Sequence, residues 1–222
     1  MERRDLSDTM LGRFLTIMFD IIVLNILWIV CSLPLFTIGA STTAMYTVLL
    51  KVARKENVST FRDYFSAFKE SFGASTICWL VGAFSFAIFA SDILFASRQS
   101  GFLKVLFYVI GVLVGALSIS FLSWSFPQIA KFNNTTKNYL KNSLLLAFCA
   151  PLKTFAIFIM WIAPIALLFI INLEIFMAMG FLYVFMAASL PCYLSSKIAW
   201  TVFEKVDKSL VQTDIAPVDY ET

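Results

Sequence analysis

Histidine is absent from the 222 residues, and charge is scarce: 17 Lys and Arg against 14 Asp and Glu, together 14% of the chain. The first absence removes the commonest general base and metal ligand. The second excludes an ordinary soluble domain, in which about 25% of residues are charged. Cysteine is limited to Cys31, Cys78, Cys149 and Cys192, far apart and each inside or beside an apolar run. With no C-x-x-C and no Cys/His cluster, neither a metal centre nor a disulfide framework has support. The four thiols read as small buried hydrophobes. A glycine-rich phosphate loop and a nucleophile elbow are missing too. The remaining Ser, Lys and acidic residues form no specific pattern. The chain therefore reads as a non-enzyme, with no catalytic, cofactor-binding or metal residue to assign.

What is abundant is apolar surface. Hydrophobic residues make up 60% of the chain, aromatics 16% with 24 Phe, and the mean hydropathy is +0.85. One globular interior of this size cannot hide such an excess from water. The composition predicts an all-α integral membrane protein whose first partner is the lipid bilayer. The net charge of +3 does not indicate nucleic acid, because the basic residues lie in short segments between apolar runs. That is the pattern of cytoplasmic loops beside anionic lipid.

About 20 apolar residues cross a bilayer as a helix. Strong spans are expected at 14–33, 74–95, 103–126, 154–173 and 175–195, and a weaker one at 35–52, rich in Thr, Ser, Ala and Gly. Six spans place both termini in the cytoplasm and leave only Arg98 and Lys104, of the 17 basic residues, outside. Five spans would move Arg3, Arg4 and Arg13 outside as well. The positive-inside rule favours six, with the first span a retained signal anchor of a multi-pass membrane protein.

A turn at Leu33-Pro34 suits this topology, since proline lacks the donor a continuing helix needs. An antiparallel hairpin centred there brings Asn25 near Thr43 and Thr47, and Asp20 near Lys51. These five residues are the candidate intramembrane polar site: a proton or cation site on one reading, and on the favoured one an ion pair of Asp20 with Lys51 or Arg13 plus helix-joining hydrogen bonds. Gly39, Ala40, Ser41 and Ala44 would let the two backbones approach. Asp92 and Glu174 fall at outer ends, within reach of water.

Two cytoplasmic surface helices are expected at 59–72 and 136–149. Ser59 caps the first, which carries Phe61, Phe65, Phe68 and Phe72 at helical spacing against Arg62, Ser66, Lys69 and Glu70. That phenylalanine face would anchor in the membrane surface or dock a partner. Asp63-Tyr64-Phe65 resembles Asn138-Tyr139-Leu140, a faint pseudo-repeat of span, surface helix, span. Gly111 and Gly115, and the stripe Ala83, Ala87, Ser91, read as internal packing faces. Pro164 and Pro191 should kink the last two spans. Sequons at Asn57 and Asn133 to Thr136 are chance matches on this topology. A polar tail occupies 209–222.

The stretch Leu24-Asn25-Ile26-Leu27-Trp28, then Ser32-Leu33-Pro34-Leu35-Phe36-Thr37-Ile38-Gly39-Ala40, resembles the YesL family of small, mainly Gram-positive bacterial membrane proteins, a domain of unknown function. The likeness continues through Thr43-Ala44-Met45-Tyr46, Leu50-Lys51, Arg54-Lys55-Glu56, Phe61, Phe65, Phe68-Lys69, Phe72 and Trp79, about the first third of the chain. Ser71 departs from the Asn common there. The resemblance implies a setting in carbohydrate utilisation, beside sugar ABC-transporter subunits, and offers no site residues. The expectation is an accessory or assembly factor for a carbohydrate-uptake system. The alternative is a small secondary transporter or channel using Asp20 and Asn25 beside the interruption from Pro34 to Gly39.

Overall fold

The computed structural model describes residues 10–54, 56–170, 186 and 188–212. Every regular element among them is helical: α1 Met10–Cys31, a short 3₁₀ turn Leu35–Thr37, α2 Ile38–Ala53, α3 Thr60–Ser97, α4 Gly101–Lys131, α5 Thr136–Cys149, α6 Pro151–Ile170 and α7 Ser189–Gln212. Three helical segments are long and apolar enough to cross a membrane: Leu35–Ala53, Thr60–Ser97 and Gly101–Lys131. A fourth is Thr136–Cys149 with Pro151–Pro164 if that pair, bent by 104°, forms one broken span. The apolar part of α1, Leu15–Cys31, is shorter. Most of the expected span at 175–195, with Glu174, lies outside the described residues, as do Arg3, Arg4 and the tail from 213. Within that expected span α7 begins at Ser189, and it continues through 209–212, where a polar tail is expected.

The expected surface helix at 59–72 and span at 74–95 are one continuous helix of 38 residues. The sequence changes there from mixed to apolar, but no proline or cap interrupts the backbone ladder. Gly73, at the expected break, has open space where a side chain would be. The pseudo-repeat thus holds only in part: α5 and α6 do bend apart after Cys149, whereas the corresponding segments fuse in α3. Its paired tyrosines do correspond, since Tyr64 and Tyr139 are both buried. Pro191 falls in the first turn of α7, where no intrahelical donor is needed, so it starts a helix and kinks none.

The small-residue segment expected to be the weakest span is the centre of the bundle. Every residue of α2 from Gly39 to Tyr46 is buried, and α2 packs against α1, α3, α4 and α7. Gly39 faces α3, not α1 as the hairpin arithmetic suggested: a Cβ there would lie 2.7 Å from Trp79 Cβ and against the Ser75 carbonyl. Close backbone approach of this kind joins helices in lipid, where burial alone supplies no driving force. The main core, Ile21, Leu24, Met45, Leu49 and Tyr64, sits where α1, α2 and α3 meet α7.

Helices α3 and α4 pack antiparallel against each other. Leu122 fills the space beside Gly82, Phe89 lies against Gly115, and Asp92 and Ile93 against Gly111. The G-x-x-x-G of α4 is therefore an internal packing face. Ala87 and Ser91 are exposed, so the stripe on α3 is not. The distal half of this hairpin exposes Phe84, Leu94, Phe102, Val105 and Leu113, the surface expected of lipid-facing helices.

These contacts give opposite expectations for two glycines. Gly39→Ala forces backbone apart and costs about 1–3 kcal/mol, as overpacking does. Gly73→Ala removes helix-interior glycine without a clash and adds about 0.5–1 kcal/mol. Thermal unfolding in one detergent compares them; equal shifts of the same sign would contradict the α2–α3 contact.

Candidate functional site

The five candidate polar residues do not form one cluster; their hydrogen bonds and ion pairs distribute them among different helix contacts. Asp20 Oδ1 accepts a 2.6 Å bond from the Thr60 hydroxyl at the start of α3. Lys51 pairs with Asp63 at 3.4 Å, so the expected Asp20–Lys51 ion pair is replaced by two separate contacts; the Arg13 side chain lies outside the described residues. The reason is register. Lys51 at the end of α2 faces the first turns of α3, whose Asp63 comes nearer than the acid on α1.

Asp63 has a second task. Its Oδ2 accepts the Ser59 backbone N–H at 3.0 Å, while the Ser59 side chain makes no cap bond. The α3 start is thus secured by the acid reaching back, as in half of a capping box. Asp63→Ala should cost about 1 kcal/mol through the lost cap. Lys51→Met should cost at most about 0.5 kcal/mol, because the half-exposed pair is screened. Melting of the two variants in detergent checks this; equal losses would mean that the ion pair, not the cap, dominates.

Asn25 is 1% exposed, and its Oδ1 accepts the backbone N–H groups of Ala188 and Ser189 at 3.0 and 3.1 Å. A side chain from α1 therefore caps α7, supplying the acceptor that a helix start lacks. Thr43 accepts a 2.8 Å bond from Ser75 on α3. Thr47 donates to the Thr43 carbonyl within α2. The hairpin arithmetic paired α1 with α2, whereas these bonds join α1 to the start of α7 and to α3, and α2 to α3.

The phenylalanine face also divides. Phe61 and Phe65 are exposed, whereas Phe68 packs against the main core. The buried stripe of α3 is Tyr64, Ala67, Ser75, Cys78 and Gly82, one position out of phase with the phenylalanines at its start.

Two features escaped the sequence reading. Trp200 of α7 lies beneath two cations, with Arg54 at 5.2 Å and Lys131 at 4.3 Å from the ring centre; such contacts contribute about 0.5–1 kcal/mol at exposed sites. The available signal was the assignment of both cations to one side of the membrane. Nearby, Gln128 of α4 donates to the Tyr139 carbonyl at 2.7 Å and to the Ser143 hydroxyl of α5. Ser125 and Ser143 are 3.0 Å apart. Beside this network is a cleft of about 310 Å³ lined by Gln128, Phe132, Asn134, Tyr139, Asn142 and Phe203. No group of three or more His, Cys, Asp or Glu among the described residues is placed to hold a metal.

Chemically, this arrangement fastens helices together. It uses neutral donors and acceptors inside the bundle and gathers cations at the end where α2, α4 and α7 meet. Comparison with known proteins adds a family to this picture. Residues 21–93 match the family described as "Protein of unknown function, DUF624". The chain is 24% identical over 202 residues to "Uncharacterized protein YesL" of Bacillus subtilis (strain 168), covering 89% of this chain and 91% of that protein. It is 26% identical over 188 residues to "Uncharacterized protein YteU" of the same organism, covering 83% and 81%. No solved structure matches it. The family match over residues 21–93 and both relatives make the chain similar to YesL-like proteins of unknown function, and every regular element among its described residues is helical.

Proposed function

We propose that the chain is a non-enzymatic, multi-pass protein of the bacterial plasma membrane, an accessory or assembly factor for a carbohydrate-uptake system. The carrying observation is how the buried polar side chains are used. Asn25 holds the start of α7, Ser75 holds Thr43, and Gln128 holds Ser143. In lipid, such bonds join helices, and a scaffold that presents surfaces to another protein needs no more. The sugar-transport setting, with ABC-transporter subunits as partners, rests on the YesL resemblance alone. Cytoplasmic termini are supported by basic residues: Arg54, Lys131 and Lys51 lie at the end of the bundle opposite the Arg98 tip.

Purification of the tagged protein from native membranes tests the proposal. A sugar-transporter subunit should accompany it reproducibly, and isolation of the chain alone would overturn the accessory role. A transporter built on Asp20 and Asn25 would instead lose uptake on Asp20→Asn. The accessory reading expects uptake to persist, because Asp20 bonds to Thr60 beside the basic end of the bundle.

A further inference from the structure

The turn between α1 and α2 stops far short of the turn between α3 and α4. Trp79 Nε1 donates to the Leu35 carbonyl at 2.9 Å, which fixes the first turn beside Trp79. From there α3 continues for about 18 residues to Ser97, or about 27 Å at 1.5 Å per residue. Only then does the chain reach the polar tip Arg98, Gln99 and Ser100. We infer that the turn Ser32 to Thr37 is immersed in the acyl chains of the inner leaflet, and that α1 and α2 form a re-entrant hairpin entering and leaving from the cytoplasmic side.

Depth is the first argument. The hydrocarbon core is about 30 Å thick. With the polar tip at its outer boundary, the turn lies about 27 Å below that boundary if α3 is upright. A tilt of about 40°, the upper end of the usual range, reduces this to about 21 Å. Both depths fall in the inner leaflet.

Hydrogen bonding is the second. A turn in water can leave its carbonyls to solvent, but one in lipid must satisfy them from the protein. Here Thr37 Oγ1 lies 2.6 Å from both the Cys31 and Pro34 carbonyls. Trp79 takes the Leu35 carbonyl, and the Thr37 N–H donates to Pro34 at 2.8 Å. The side chains agree: Leu33 and Leu35 are 75% and 76% exposed, and Phe36 is 53% exposed. No charged residue occurs between Asp20 and Lys51, which meet the start of α3 through Thr60 and Asp63. Both ends of the hairpin therefore return to the same basic side, so the charge asymmetry is the same as for two crossing helices.

The partner of this surface is lipid acyl chain. The inference rests on the membrane reading and its orientation but not on the accessory role, and failure to co-purify a transporter leaves it intact. In full-length protein with the four cysteines replaced by alanine, Leu35→Cys, Asn57→Cys and Ser100→Cys are each treated with a membrane-impermeant maleimide. Ser100→Cys should label in intact cells and Asn57→Cys only in inside-out vesicles. Leu35→Cys should lose labelling in both and regain it in denaturing detergent. In proteoliposomes, a nitroxide on Leu35→Cys should be relaxed more by oxygen than by an aqueous nickel chelate. Labelling of Leu35→Cys in intact cells would show a crossing hairpin, and labelling in inside-out vesicles a turn in water; each overturns the inference. If Leu35→Cys does not accumulate, Leu33→Cys provides the same readout.

Discussion

Asn25→Leu should destabilise the protein by about 2–4 kcal/mol and loosen the start of α7 before the rest of the bundle. Asn25 is 1% exposed and accepts the backbone N–H groups of Ala188 and Ser189. Leucine has similar bulk but no acceptor, so two donors would be left buried at a helix start. Each unsatisfied buried donor costs about 1–3 kcal/mol, and lipid supplies no water to replace the lost bond. Hydrogen exchange in detergent micelles gives the local reading: amides of the first turn of α7 should exchange faster than those of α2. Uniform acceleration, or none, would show that Asn25 does not hold α7. Asn25→Gln separates shape from chemistry, since it keeps the amide but displaces it by one methylene; an intermediate loss is expected.

The difference between this cap and the expected hairpin contact shows where sequence reasoning stops. A turn at Pro34 and a rise of about 1.5 Å per residue give the neighbours of Asn25 within one hairpin. They carry no information about a helix start 163 residues away. Lys51 presents the same problem over a shorter range: the hairpin arithmetic identified an acid on α1, but the register of α2 against α3 selected Asp63. Gly73 failed for another reason. The change from mixed to apolar residues near it marks a change of surroundings, which the eye takes for a change of element. A continuous backbone ladder passes through that change at little cost.

Features set by local chemistry were legible. A helix over 136–149 is present as α5, Thr136–Cys149, bounded by a run of Asn and Thr on one side and by Pro151 on the other. The G-x-x-x-G of α4 faces α3, as small residues without an exposed partner should. The weak apolar character of 35–52 was also informative, though its meaning differed from the expectation. Thr, Ser, Ala and Gly lower the hydropathy of α2 because its faces meet other helices, where small and hydroxyl side chains pack and bond better than leucine.

Trp124→Ala should cause the largest loss in the other half of the bundle, about 3–5 kcal/mol. Trp124 is fully buried and works in two directions. Its Nε1 donates to the Thr154 hydroxyl at 2.8 Å, which ties α4 to the first turn of α6. Its ring meets Phe203 of α7 edge-on, with centroids 6.1 Å apart, and Phe203 in turn meets Phe132 at 5.1 Å. Truncation removes an aromatic pair contributing about 0.5–1.5 kcal/mol beyond its area and opens a cavity that helices held at both ends cannot close. Trp124→Phe keeps a ring for Phe203 but loses the donor, so a smaller loss of about 1–2 kcal/mol is expected. Thr154 also donates to the Ala150 carbonyl at 3.0 Å, so its hydroxyl retains one partner after either substitution, and the difference between the variants reports mainly on the ring. Thermal unfolding in detergent, followed by circular dichroism, measures both. If Trp124→Phe proved as damaging as Trp124→Ala, the bond to Thr154 rather than the aromatic contact with α7 would be the element joining the two halves.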